Sequence, residues 1–135
     1  MIRYVEPVAI DAYWHIVAPM IEPALNEELL LEDVYNKLLN EKMGLISISD
    51  DGEIVAACVV EFVTYPRIRA MRVVALGGEK MKKWLSQLIE FLDTWAVENR
   101  MDRIEQMGRD GWTRVLDKYG YQERYTFMTK EYNYG

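Results

Sequence analysis

The sequence predicts an α/β fold, a single mixed sheet with helices on both faces. Three observations carry that expectation. The stretch 79–100 places Met81, Trp84, Leu85, Leu88, Ile89, Leu92, Trp95 and Ala96 at three- and four-residue steps, the period of a long amphipathic helix. Turn signals at Asp50-Asp51-Gly52 and Tyr65-Pro66-Arg67 separate apolar runs before that helix, which predicts antiparallel strands. A short apolar-polar run at 103–107 follows it, and a strand, a helix and a further strand make the crossover that joins parallel strands.

Each element follows from local pattern. Residues 2–6 read as a strand ended by Pro7. Residues 10–25 carry Trp14, Val17, Ile21 and Leu25 at helical spacing, with Pro19 expected to break or kink the helix because it has no amide to donate. Residues 30–42 give a second helix with Val34, Leu38 and Leu39 as its buried stripe. In 45–49 the alternation of Ile46 and Ile48 with Ser47 and Ser49 predicts a half-buried strand. The near-continuous apolar run at 54–64 predicts a strand covered on both faces. A strand at 68–76 runs into Gly77-Gly78 and the long helix. A helix at 110–119 carries Trp112, Val115, Leu116 and Tyr119 on one face and stops at Gly120. A last strand is expected at 123–131. The predicted order is β-α-α-β-β-β-α-β-α-β in one domain, 1–135, with no linker or repeat.

Composition narrows the function classes. The chain has 135 residues, enough to bury a core without disulfide or metal. Its net charge of −6 repels nucleic acid and anionic membranes as a whole. One cysteine, Cys58, and one histidine, His15, leave no metal-ligand spacing, so no metal is expected. No apolar run approaches the roughly 20 residues of a membrane span, and no N-terminal stretch reads as a signal peptide. The expectation is a soluble protein of a reducing compartment.

The segment Val115-Leu116-Asp117-Lys118-Tyr119-Gly120-Tyr121, together with the element order, resembles the GNAT (N-acetyltransferase) superfamily, in which a Leu-Tyr-Glu-Lys-x-Gly-Phe run closes the last helix. Tyr65-Pro66-Arg67, Gly77-Gly78, Trp84, Trp95-Ala96 and Gly108-Arg109-Asp110-Gly111-Trp112 are further similar to short GNAT-like proteins of tailed phages and prophages. The resemblance implies acetyl-CoA as cofactor. It implies a cofactor unit made of the strand at 68–76 and the long helix, with a neighbouring strand that splays away. It also implies an amine or protein as acceptor, and a backbone amide near Val73, Val74 or Ala75 to hold the thioester oxygen. The chain departs from the family pattern twice. Where an Arg/Gln-x-x-Gly-x-Gly/Ala loop would begin the long helix, this sequence has Gly77-Gly78-Glu79-Lys80-Met81-Lys82-Lys83-Trp84, a degenerate cofactor loop. Where a general-acid tyrosine is frequent, it has Leu116, which cannot donate a proton.

Individual residues each carry two readings. Gly77 and Gly78 either cradle a phosphate or make a strand-to-helix turn. Lys80, Lys82 and Lys83, with Arg67, Arg69 and Arg72, put six basic residues within seventeen positions of an acidic chain. They either neutralise a CoA phosphate or form a solvated face. Glu61 interrupts an apolar strand and is either a general base working through water or an outward-facing carboxylate. Tyr119 and Tyr121 either replace the missing acid or belong to the core. Arg109 either binds an anion or pairs with Glu105, and Asp110 caps the last helix. Two functions remain open at this point. One is an acyl-CoA-dependent N-acetyltransferase. The other is a non-catalytic phage accessory or structural protein, host-cytoplasmic or virion-associated. In that reading Trp14, Tyr65, Tyr132 and Tyr134 would anchor a phage protein partner or a homodimer.

Overall fold

The computed structural model describes residues 1–107 and 110–135, without the side chains of Asp110, Gly111 and Thr113. Among these residues, five strands and four α-helices follow in chain order: β1 (Ile2–Val5), α1 (Ile10–Ile21), α2 (Leu31–Leu39), β2 (Met43–Asp50), β3 (Glu53–Thr64), β4 (Arg69–Gly78), α3 (Met81–Glu98), β5 (Arg103–Gln106) and α4 (Asp110–Asp117). The strands form one sheet in the order β1-β2-β3-β4-β5. Neighbours are antiparallel from β1 to β4, and β4 pairs parallel with β5 across the α3 crossover.

The β2–β3 hairpin turns on Asp51 (φ 51°) and Gly52 (φ 83°). Two consecutive positive φ values give a turn whose twist matches that of the strands, and Asp and Gly tolerate it best. Alternation along the strands then divides the core into two layers. Ile46, Ile48, Cys58, Val60, Met71 and Val73 face α3 and α4. Leu45, Ala57, Val59 and Ala75 face α1 and α2, where they meet Val17, Ile21, Val34 and Leu38. Trp84, Leu85, Leu88, Ile89, Leu92 and Ala96 are the buried residues of α3, the stripe that its periodicity predicts.

Four details differ from the sequence expectation. α1 runs through Pro19 to Ile21, and a 3-10 turn, Glu22–Ala24, follows directly. Near a helix end the lost amide bond is one of few, and the buried Val17 and Ile21 hold the last turn in place. β2 is buried on both faces from Met43 to Ile48, Ser47 included, because helices cover both sides of this inner strand. Gly77 and Gly78 belong to β4, paired with Ala57 and Ala56, rather than to a loop. The last expected strand is not formed: residues 121–135 make no ladder, and Tyr125 and Phe127 are each 77% exposed. An alternating pattern becomes a strand only against a partner edge, and here β5 remains the edge of the sheet.

Candidate functional site

β4 organises the candidate site. Val59 pairs with Ala75 while Val60 pairs with Val73, so Val74 is an extra residue, a β-bulge. Bulges bend a strand and loosen its pairing, and they recur beside functional sites. On its other side β4 is paired with β5 only from Ala70–Arg103 to Val73–Gln106. Beyond that point β5 ends and β4 continues to Gly78 with no partner strand on that edge among the described residues. The two strands part where the bulge lies. A cleft of about 560 Å³ opens there, lined by Val73 to Gly78, by Met20 and Pro23 to Asn26 from the end of α1, and by Gln106, Met107 and Trp112. Its floor is strand backbone and its walls are apolar, apart from the side chains of Asn26 and Gln106.

The glycines at the far end of β4 answer to backbone packing. A Cβ on Gly77 would sit 2.0 Å from the carbonyl oxygen of Met20. One on Gly78, which has φ +136°, would sit 2.3 Å from the carbonyl oxygen of Val55. Their bareness lets the end of α1 close on one face of β4 while β3 lies against it. α3 then starts from Lys80, itself in the left-handed region at φ 62°. The Trp84 indole, 5% exposed, donates a 2.7 Å hydrogen bond to the carbonyl of Glu79 and packs into the α3 layer. Neither Trp84 nor Met81 lines the cleft, so neither crowds it.

A mixed five-stranded sheet whose fourth strand is bulged and whose fifth parts from it, with a long helix entering from the fourth, is the arrangement of a known group of folds. The comparison with solved structures agrees. Ribosomal-protein-alanine N-acetyltransferase from Brucella melitensis biovar Abortus 2308 superposes with a TM-score of 0.73 at 13% identity, covering 98% of this chain and 99% of that one. The chain has the GNAT acetyltransferase fold. A predicted acetyltransferase from Clostridium acetobutylicum, solved with acetyl-CoA, is similar at TM-score 0.68 and 16% identity over 97% of this chain and 95% of that one. An aminoglycoside N-acetyltransferase in complex with CoA gives 0.69 and 14% over 96% and 93%. No family model and no curated protein sequence matches this chain.

Within this GNAT fold the residues singled out from sequence separate into groups. Val73, Val74, Ala75, Gly77 and Gly78 all line the cleft. Lys80 and Lys83 lie outside it, both pointing at one Asp50 oxygen of the β2–β3 hairpin, at 3.2 and 3.3 Å. The two ammonium groups hold the Asp50 carboxyl below its ordinary range by hydrogen bonding. Lys82 is exposed on the first turn of α3. Arg109 lies outside the described residues, as does the side chain of Asp110. Arg69 and Arg72 sit toward the start of β4, the opposite end from Gly78. The strand register that separates them from the lysines is not visible in a count of basic residues.

Glu61 and Tyr119 are not brought together. Glu61 lies on the α1/α2 side of the sheet, 3.6 Å from Lys37 and 3.7 Å from Arg72. Tyr119 packs against the α3/α4 layer, beside the buried Leu116. Tyr121 packs there too, and burial, then Asp93 and Cys58, push its hydroxyl up to about 12.

A polar network that no local motif announces adjoins the cleft. Glu61, Arg72 and Glu105 are cross-strand neighbours on β3, β4 and β5. Tyr65 donates its hydroxyl hydrogen toward Glu105, at 2.9 and 3.0 Å from the two oxygens. Arg72 donates to the Tyr65 oxygen at 2.9 Å and to Glu105 at 3.2 Å. Arg103 donates through Nε at 2.8 Å and pairs through Nη2 at 2.6 Å. Burial pushes the Glu105 carboxyl up, but hydrogen bonds from Arg103, Tyr65 and Arg72 outweigh it and leave the group below the usual carboxylate range. The network runs along the α1/α2 face from the start of β4 to the residue before the split, since Arg72 precedes Val73 and Glu105 precedes Gln106. Among the described residues no group of acidic, histidine and cysteine side chains could hold a metal, and no helix is long and apolar enough to cross a membrane.

Proposed function

We propose that the chain is an acyl-CoA-dependent N-acetyltransferase whose acceptor is an amine. The observation that supports this best is the split between β4 and β5, which leaves unpaired strand backbone from Val74 to Gly78 along an apolar cleft. Such an edge offers amide and carbonyl groups in the spacing of a missing strand, and a pantetheine arm carries amides that can take that strand's place. Neither Met81 nor Trp84 lines the cleft, and the open β4 edge is the feature that fits the amides of the cofactor's arm. The cofactor would supply an acyl thioester. Amides of Val73 to Ala75 would bind its carbonyl oxygen, the amides that open α3 and the Lys82 charge would receive its phosphates, and Met20 and Pro23 to Leu25 would exclude water. The amine would approach from the α1/α2 side, where the Glu61 and Glu105 carboxylates lie among Lys37, Arg72 and Arg103. Glu61, with Lys37 and Arg72 as its ion-pair partners, would take the proton through water. The solved relatives with acetyl-CoA and with CoA agree with this cofactor.

A second reading rests on one specific fact: among the described residues, no side chain lining the cleft ionises. A protein that keeps the fold as a binding scaffold needs no such group. Calorimetric titration with acetyl-CoA and CoA separates the two. Ala24 is exposed at the mouth of the cleft, so Ala24→Trp occludes it without disturbing the core. The enzyme reading expects saturable binding that Ala24→Trp weakens at least tenfold. Absence of binding at millimolar cofactor refutes it and leaves the scaffold.

A further inference from the structure

A second cleft, of about 770 Å³, lies at the other edge of the sheet, between β1, the start of β2, the end of β3 and the second half of α3. It shares no residue with the cleft at the β4–β5 split. Four aromatic rings gather in it. Trp95 is central, with Tyr4, Phe62 and Phe91 at centroid distances of 5.2, 5.4 and 6.0 Å. Their planes are inclined to the indole by 60°, 85° and 64°, so the rings curve around it rather than stack flat. Tyr4 and Phe62 are more than a third exposed although both lie on the apolar α3 side of the sheet.

The rim is charged with one sign. Glu41, Glu90 and Glu98 line the cleft, and no lysine, arginine or histidine does. All three carboxylates are exposed, and none takes part in an ion pair among the described residues. Burial first, and then Glu41 and Glu6, raise the Tyr4 hydroxyl above its ordinary value.

The backbone is shaped to admit the rings. A Cβ on Gly44 of β2 would meet the Trp95 ring at 3.2 Å and the Tyr4 ring at 3.3 Å. Glycine at this buried position lets both rings settle on the strand itself, which makes a concave floor.

We propose that this cleft binds a small organic cation, an alkylated ammonium ion, between the aromatic rings and the carboxylate rim. The two features act on the same chemistry. Aromatic faces attract a weakly hydrated cation through their quadrupole, and carboxylates at the rim add attraction without demanding that the cation lose all its water. A neutral ligand of the same shape gains only the apolar contact. The proposal is independent of acyl transfer at the other cleft.

The test is a titration of the intact chain with choline as probe, followed by tryptophan fluorescence and by calorimetry at low salt. The neutral isostere 3,3-dimethylbutan-1-ol is titrated in parallel. Choline is expected to bind saturably, at least tenfold more tightly than the isostere. Glu90→Gln with Glu98→Gln, both exposed, is expected to weaken choline about fivefold while leaving the isostere unchanged. Gly44→Ala, which presses on Trp95 and Tyr4, is expected to weaken both ligands. Equal affinity for choline and the isostere refutes the proposal, as does the absence of saturable choline binding up to 100 mM, about a hundredfold above a 1 mM dissociation constant. Binding of a lysine-rich peptide without choline binding also overturns it, and assigns the cleft to a polypeptide partner.

Discussion

Glu105→Gln tests the network beside the site. The change keeps the size of the side chain and removes its charge. Arg103 and Arg72 lose their shared carboxylate, while the Tyr65 hydroxyl keeps a neutral acceptor in place of a charged one. The Glu105 side chain is 16% exposed and its arginine partners 31% and 28%, so solvent screening is partial. Two ion pairs of this kind contribute about 1 kcal/mol each, and the weakened tyrosine bond about 0.5 kcal/mol, against some recovery by Arg72 through Glu61. The expected loss at pH 7 is about 2 kcal/mol, or a fall in Tm of roughly 6 °C for a chain of this size. The loss must depend on pH in one direction. Because the folded carboxyl sits below the ordinary carboxylate value, its contribution is complete above that ordinary value and fades as pH falls through the folded one. Wild type and variant therefore converge in acid, as pH falls below the folded value. Urea denaturation at pH 7 and pH 3.5 measures both quantities. A loss below 0.5 kcal/mol at pH 7, or an equal loss at both pH values, refutes the network's role; the threshold is about the scatter of neutral surface substitutions.

Two further changes probe other parts of the fold. Gly77→Ala drives a Cβ to 2.0 Å from the Met20 carbonyl, a backbone atom that cannot rotate away, and should cost about 3 kcal/mol in urea denaturation. Gly52→Ala, with no atom within 4 Å, should cost only about 1 kcal/mol from its positive φ. Cys58 is fully buried and its thiol is pushed up to about 12 by desolvation. It should therefore stay unreactive toward a thiol reagent at pH 8 in the folded chain and react once urea unfolds it. Fast reaction of the native protein would contradict its burial.

The sequence announces what is local and periodic. The α3 stripe from Trp84 to Ala96, the Asp51-Gly52 turn and the Gly120 stop are legible because each is fixed by neighbours within a few positions. Part of the strand edge of the candidate site is also legible, since 68–76 reads as a strand running into glycines, though not that the strand continues through them. What the glycines are for is not legible, because the atoms they avoid belong to Met20 and Val55. The same limit hides the Tyr65–Arg72–Glu105 network, whose members come from a turn and two strands up to 40 residues apart. It also hides the pairing of Lys80 and Lys83 with Asp50, 30 and 33 residues away. The missing last strand fails for the converse reason: an amphipathic pattern at 123–131 is local, but strand formation depends on a partner edge.

The extra residue in β4 also sets what a change of length would do. With Val74 interposed, Arg72 and Ala75 lie on the same side of the sheet although three positions apart, one in the polar network and one in the α1/α2 core. Deleting Val74 would put them two positions apart, still on the same side by plain alternation, and would leave Gly77 against Met20. Both layers would keep their residues, and only the bend beside the cleft would go. A chain lacking Val74 should therefore fold and differ from wild type at the cleft, which separates what the bulge does for the site from what it does for the fold.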